Sequence, residues 1–294
     1  MPEPSLTQTR PGCQTELLVP DYDLDVTMTS GQVFGWEPTA EGWVGVVGTN
    51  WVCLQSFPGG IRARTATAHS DWTWLRHFLQ TGVNLPELLA TFPANDAHLT
   101  TALASCRGLR LLRQSPWECL ASFILSSTKQ IVQIRQIVRT LCARYGTPVT
   151  TPANHPPAFA FPTAARIANL SEQDLRDCKM GFRAKYLSAA AQRVAAGELP
   201  LEALRALPLP AARDELTKLP GVGEKIADCV LLFAYGFPTA FPIDVWVARA
   251  LSQFYFKGRR KRPDQLRQFA LRHFGPNAGY AQQYLFHHIR TRTG

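Results

Sequence analysis

The sequence predicts an α+β fold: a small N-terminal antiparallel β-sheet domain followed by an all-helical domain built around a helix–hairpin–helix. Three observations carry this. Up to about residue 66 the apolar residues recur with a period of two, in short β-branched and aromatic segments separated by turn residues. From Ser70 onward the period is 3.6. Late in the chain, Leu219-Pro220-Gly221-Val222-Gly223-Glu224-Lys225 sets two glycines between helical stretches, and Pro242-Ile243-Asp244 precedes another. The boundary is placed near residue 95, giving domains 1–95 and 96–294.

Residues 1–20 are rich in Pro, Thr and Gln and are expected to be loosely held. Asp23–Thr29, Trp43–Val47, Trp51–Ser56 and Ile61–Ala66 read as strands, with Gly48-Thr49-Asn50 and Pro58-Gly59-Gly60 as turns. Ser115-Pro116-Trp117-Glu118 has the pattern of a capping box with proline in the first turn, opening an apolar helix over Trp117–Leu125. Ser126-Ser127 interrupts, and a helix follows over Thr128–Tyr145. Prolines make 146–165 a loop. Ser171 caps a short helix ended by Gly181, and Arg183–Ala196 is another. Asp214–Lys218, the Gly221–Gly223 hairpin and Glu224–Tyr235 form the helix–hairpin–helix, Asp244 starts a further helix, and the last runs over Gly279–Thr291.

With 46% apolar and 18% charged residues among 294, the chain is a globular protein with a sizeable core. Its net charge of +9 is uneven. Residues 1–60 hold seven acids and one base, while the remainder carries 30 bases against 15 acids, which suits a polyanion bound by the C-terminal part. The run Lys257–Arg262 either touches a nucleic-acid backbone or is a solvated loop. Seven scattered cysteines without a CxxC pair read as reduced thiols of an intracellular protein. None follows Cys229, which excludes a C-terminal iron–sulfur cluster. No signal peptide pattern opens the chain and no stretch reaches the length of a membrane span.

Alternate glycines let a backbone approach a partner closely and tolerate positive φ. Hairpin amides ahead of a helix N-terminus cradle a phosphate. A lysine at that terminus has its charge disfavoured by the helix dipole, which promotes loss of a proton from a group whose free pKa is near ~10.4. A helix lysine is ordinarily solvated; the hairpin before Lys225 and the Pro-x-Asp after it favour a nucleophile instead. Cys229 lies four residues on and shares its face. Asp244 is read as a helix N-cap, and a carboxylate held there would also stabilise positive charge developing on a sugar or handle the proton of an attacking amine.

Together these motifs resemble the helix–hairpin–helix/Gly-Pro-Asp superfamily of DNA glycosylases, and lysine in the hairpin motif marks its bifunctional branch. Ser30-Gly31-Gln32-Val33-Phe34-Gly35-Trp36 is similar to a signature of 8-oxoguanine DNA glycosylase/AP lyases. So are Leu109-Arg110-Leu111-Leu112-Arg113-Gln114, Pro116-x-Glu118-Cys119, Phe123-Ile124-x-Ser126-Ser127, Lys225-x-Ala227-Asp228-Cys229 and Ala278-Gly279-Tyr280-Ala281-Gln282-x-x-Leu285-Phe286. The resemblance spans about residues 20–290. It implies a DNA N-glycosylase and β-lyase of base-excision repair acting on duplex DNA containing 8-oxoguanine. In it Lys225 attacks C1′ and forms a Schiff base, Asp244 is the catalytic aspartate, and the Gly31 carbonyl accepts the N7–H that guanine lacks. Gln282 reads the Watson–Crick edge, Cys229 and Phe286 sandwich the flipped base, Gly221 and Gly223 grip the backbone, and Phe182 with Arg183 fills the gap and meets the orphaned cytosine.

The chain departs from the eukaryotic pattern in two places. An asparagine run followed by an arginine is replaced by Thr128-Lys129-Gln130 with Gln133 at the arginine's position, which implies a weaker preference for cytosine opposite the lesion. Trp246 stands where a histidine is usual and Ile289 where its acidic partner is, which puts one phosphate contact in doubt. No metal or cofactor is expected to take part in the chemistry; the hairpin carbonyls around Thr217, Leu219 and Val222 would suit a structural cation. A monomer is expected, in a bacterial cytoplasm or nucleoid, or in the nucleus if the source is eukaryotic. Two other readings stay open: a monofunctional alkylated-base glycosylase, against which Lys225 speaks, and a DNA-binding module without activity, against which the widely separated Gly31 and Gln282 speak.

Overall fold

The computed structural model describes residues 12–127 and 130–292. Five strands, β1 (Gly12–Leu18), β2 (Glu37–Thr39), β3 (Gly42–Val47), β4 (Asn50–Phe57) and β5 (Gly60–His69), form one antiparallel sheet in the order β1-β5-β4-β3-β2. A helix α1 (Leu24–Thr29) lies between the first two strands. Helices α2 (Thr73–Leu79), α3 (Leu85–Leu89), α4 (Ala97–Ser105), α5 (Pro116–Leu125) and α6 (Ile131–Tyr145) follow. After a two-stranded hairpin of β6 (Pro148–Val149) and β7 (Ala158–Phe159) come α7 (Ala164–Ala168), α8 (Glu172–Arg176) and α9 (Arg183–Ala195). Then come α10 (Leu209–Thr217), α11 (Glu224–Val230), α12 (Val245–Tyr255), α13 (Pro263–Phe274) and α14 (Ala278–Arg292). Among the described residues no helix is long and apolar enough to cross a membrane.

Trp43–Val47, Trp51–Ser56 and Ile61–Ala66 are strands as their period predicts. Asp23–Thr29 is not. Asp23 accepts the Val26 N–H at 2.8 Å as an N-cap, and Leu24, Thr27 and Met28 turn one buried face to the core at helical spacing. Residues 12–18 are not loose either, since β1 pairs along β5. Both errors arise where burial and pairing partners far along the chain override a short local signal. Ser115 makes no side-chain capping bond, so the expected box does not form. Pro116 still opens α5, while Glu118 borders an apolar cavity of about 390 Å³ between the sheet and α6, where burial raises its carboxyl to about 7. The reciprocal box at Ser171 and Asp174 does form.

Two apolar clusters make the core. One joins Trp36, just before β2, and Trp43, Leu54 and Ile61 of the sheet to Leu75, Phe78 and Leu79 of α2. The other surrounds α5, whose Cys119 to Leu125 are all buried; a helix apolar on every side has to be central. The helix–hairpin–helix is α10, the turn at 218–223, and α11. Only Gly221 needs positive φ (+79°), and a Cβ there would sit 2.4 Å from the Tyr186 ring. Gly223 is the extended N-cap of α11 with φ −92° and open space on its Cα. After α11 the chain widens into one π turn over Leu231–Tyr235. The carbonyls of Leu232 and Phe233 accept from Arg113 Nη1 at 2.8 Å and Gln114 N at 2.9 Å.

Asp228 fixes the roll of α11. It is 1% exposed, and its Oδ1 takes the Arg213 guanidinium of α10 at 2.7 Å while Arg267 of α13 stands 3.7 Å from Oδ2. Burial raises its carboxyl to about 6 against the pull of both arginines. Asp228→Ala leaves two guanidiniums without their shared anion. The expected loss is about 3–5 kcal/mol of unfolding free energy in urea at neutral pH.

Candidate active site

A cavity of about 430 Å³ opens where α5, α6, α11, α12 and α14 meet the segment between α1 and β2. Its wall includes Gly31, Phe123, Lys225, Cys229, Asp244, Trp246, Gln282, Phe286 and Arg290. Six of the residues expected to act on a base or its sugar, contributed from residues 31 to 286, therefore share one space.

Lys225 stands in the first turn of α11 and is half-buried. Its ammonium donates to Ser126 Oγ at 3.3 Å and lies 5.4 Å from the centre of the Phe123 ring. The Asp228 anchor and the apolar back of α11 leave the amine only the cavity to face. Cys229 lies one turn further in; burial pushes its thiol up to about 12, so it acts as a neutral, polarizable wall. Asp244 is the N-cap of α12. Its Oδ1 accepts the Trp246 N–H at 3.0 Å and the Val247 N–H at 2.8 Å. Burial raises the carboxyl above the usual range, with the two amides and the Lys225 charge opposing. The cap and the expected catalytic carboxylate are thus one group.

Gly31 has φ +81°. Any Cβ there would lie 2.9 Å from Ile131 Cδ1 and 3.3 Å from Phe286 Cε1, so only glycine brings this backbone to the wall. Gln282 is 4% exposed, and its Oε1 has no partner among the described residues. A buried, unsatisfied acceptor at a cavity wall is costly unless a ligand donor meets it.

Trp246 lines the wall too; Gly221, Gly223, Phe182, Arg183 and Gln133 lie outside it. Gly221 and Gly223 form the hairpin at the N-terminal end of α11. Phe182 is 48% exposed, and the Arg183 guanidinium packs 4.4 Å from its ring. Arg183 itself turns inward, donating to the Met180 carbonyl at 3.3 Å and to the Ser127 carbonyl. Gln133 is engaged locally, its Oε1 accepting the Gln130 N–H at 3.2 Å in a capping box. Thr128 lies outside the described residues.

Sequence reading missed Gln283 and Arg290. Gln283 Nε2 donates to the Ser30 carbonyl at 2.8 Å and Arg290 Nη2 to the Thr29 carbonyl at 2.6 Å. Both belong to α14, and their position one and four residues beyond motif members was the signal available. A methyl at Gly31 would strain the backbone and strike Ile131 and Phe286 together. Gly31→Ala is expected to lose about 1–3 kcal/mol in thermal or urea unfolding and to close part of the cavity to a flipped base.

Comparison with known proteins agrees with this architecture. Residues 17–120 match the model for the 8-oxoguanine DNA glycosylase N-terminal domain, and residues 121–276 match the HhH-GPD superfamily of base excision DNA repair proteins. The N-glycosylase/DNA lyase OGG1 of Arabidopsis thaliana is 30% identical over 292 residues, covering 92% of this chain and 77% of its own. MBOgg1, solved with a low-affinity DNA ligand, superposes with TM-score 0.91 at 30% identity over 97% of this chain and 98% of its own. The 8-oxoguanine glycosylase/lyase of Clostridium acetobutylicum, solved with double-stranded DNA containing cytosine opposite the lesion, gives 0.86 at 28% identity over 95% and 99%. With the family's sheet domain, its hairpin and its lysine and aspartate on one cavity wall, this chain belongs to the HhH-GPD superfamily of base-excision DNA repair proteins, within its 8-oxoguanine DNA glycosylase branch.

Proposed function

We propose that this protein flips 8-oxoguanine out of duplex DNA, releases it and then cleaves the abasic site through a lysine Schiff base. The observation that carries the reading is the convergence of Lys225, Asp244, Gly31 and Gln282 on one cavity. In the first step the Lys225 amine, after losing a proton, forms a bond to C1′ while the C1′–N9 bond breaks and its electron pair leaves with the base, which is protonated on departure. Asp244, held by two amides, stabilises the positive charge that grows on the sugar. Opening of the sugar ring gives an iminium. Loss of a C2′ proton then expels the 3′ phosphate, breaking the strand and leaving the sugar on the lysine until water hydrolyses it.

The Gly31 carbonyl supplies selectivity for the oxidised base. Ordinary guanine offers it a lone pair at N7, the lesion an N–H; Gln282 has an acceptor waiting for a further donor. Phe286 and Cys229 provide the flat and polarizable walls. Phe182 is the exposed aromatic wedge for the vacated stack, with Arg183 exchanging its carbonyl bonds for the orphaned base when DNA binds. Gln133, neutral and tied to its own helix start, leaves the opposite base weakly read. Gly221, Gly223 and the α11 amides grip a phosphate, and the hairpin carbonyls of Thr217, Leu219 and Val222 hold a cation without a role in the chemistry. The protein acts as a monomer in the compartment that holds the DNA, the cytoplasm and nucleoid of a bacterium.

Borohydride trapping on duplexes with 8-oxoguanine opposite each of the four bases tests this directly. Wild type is expected to give a covalent adduct with less than tenfold spread among opposite bases, and Lys225→Gln none. An adduct that survives the substitution would sink the amine mechanism. Because burial raises the Asp244 carboxyl, its charge is lost at higher pH than for a free aspartate, about 3.9. Single-turnover excision should therefore fall along an acidic limb lying above that value, and Asp244→Asn should be slow at every pH without such a limb.

A further inference from the structure

Arg290 is a cation built into the cavity wall with most of its donors unspent among the described residues. It comes from the fourth turn of α14, and one of its five N–H groups goes to the Thr29 carbonyl at 2.6 Å. Its guanidinium lies 5.2 Å from the centre of the Phe286 ring, and Nη1 is 3.5 Å from the point where a Cβ on Gly31 would be. These contacts hold the group in one orientation. Among the described residues it forms no ion pair with a carboxylate. Burial and the neighbouring Arg135 disfavour its charge, and Asp244 favours it. The charged residues of the wall are Lys225, Arg290 and Asp244, so the open cavity carries an excess of one positive charge. Holding a half-buried cation beside another cation is expensive unless an anion completes the site. Trp246, also on the wall, offers no charge, and Ile289 beside Arg290 is buried.

We propose that Arg290 binds a backbone phosphate of the extruded nucleotide and so positions its sugar before Lys225. This rests on the duplex-DNA reading above. The extruded nucleotide brings one class of full anion to the cavity, its flanking phosphates; the lesion itself is neutral. A guanidinium suits a phosphate through two parallel N–H bonds, and Arg290 keeps donors free for them. It thereby supplies, from α14, a phosphate contact at a wall where Trp246 and Ile289 provide none.

The test is binding as a function of salt in the non-turning-over Lys225→Gln background. Two duplexes are used, 8-oxoguanine opposite cytosine and a tetrahydrofuran abasic analogue that keeps the phosphates and lacks the base, with an undamaged guanine–cytosine duplex as the reference. Arg290→Leu is expected to bind both about tenfold more weakly, with the slope of log affinity against log salt shallower by about 0.9. Arg290→Lys should restore the slope. Arg290→Gln, which keeps a donor for Thr29, gives the same readout if the leucine variant does not fold. An unchanged slope overturns the proposal, as does a loss confined to the lesion duplex, which would make Arg290 a base contact. If the background protein fails to prefer the lesion over undamaged DNA, the proposed substrate is at fault, and the abasic duplex still decides the role of Arg290.

Discussion

Gln32 holds the site together. It is fully buried between the sheet domain and the helices, and its amide is saturated. Oε1 accepts the Leu112 N–H at 2.7 Å, and Nε2 donates to the Arg110 carbonyl at 2.8 Å and to Ser30 Oγ at 2.9 Å. Its own carbonyl takes Gln114 Nε2 at 2.7 Å. One side chain therefore pairs with the backbone on either side of Leu111, a stretch whose polar groups would otherwise be unpaired in a dry interior. Around it, α14 adds Gln283 to the Ser30 carbonyl and Arg290 to the Thr29 carbonyl. Gly31 sits within this clamp. Its positive φ is a cost the surrounding bonds hold in place, and the result is a backbone group from the sheet domain fixed on the wall of a helical cavity.

The second constraint is the chain from the 113–114 strap to the lysine. Arg113 and Gln114 bond to carbonyls of the π turn that follows α11, and the strap is itself tied to α2 through Arg113 N and the Phe78 carbonyl at 2.8 Å. Asp228 ties α11 itself to α10 and α13. A helix tied along one side and at its C-terminal end cannot roll freely, which aims the Lys225 amine. Asp244 is fixed by a different device, two amides of the helix it caps. Helix starts thus present Lys225 and Asp244, while Gly31 is held in its loop by the clamp around Gln32.

The electrostatics of the cavity follow from what surrounds it. Its walls are largely apolar, so each charged group feels its neighbours strongly and burial works against every one of them. Asp244 is pushed toward its neutral form and held back by Lys225 and two amides. Cys229 beside the lysine stays a thiol because burial outweighs the nearby cation. Arg290 and Lys225 together outnumber the carboxylate. The cavity wall thus carries one positive charge in excess, in keeping with 30 bases against 15 acids beyond residue 60.

The sequence alone determined what depends on local pattern. Strands β3, β4 and β5, the helix–hairpin–helix, the Ser171 cap and the start of α12 follow from period and capping chemistry, which act over a few residues. Lys225 and Asp244 were legible for the same reason, as charged groups at helix starts next to glycine and proline. The tertiary structure decided the rest. Asp23–Thr29 is a helix and Gly12–Leu18 a strand because of partners found 42 to 83 residues away. Arg290 looks like an ordinary cation near the end of the last helix until the fold lays it against Gly31 and Phe286. Gln133 is spent on its own helix start and Arg183 on two carbonyls, neither of which composition reveals. Local preferences amount to fractions of a kcal/mol per residue, and burial of a side chain or pairing of a buried polar group to several times that. Where the two disagree, the distant contact wins, and these sites are where this chain had to be seen folded.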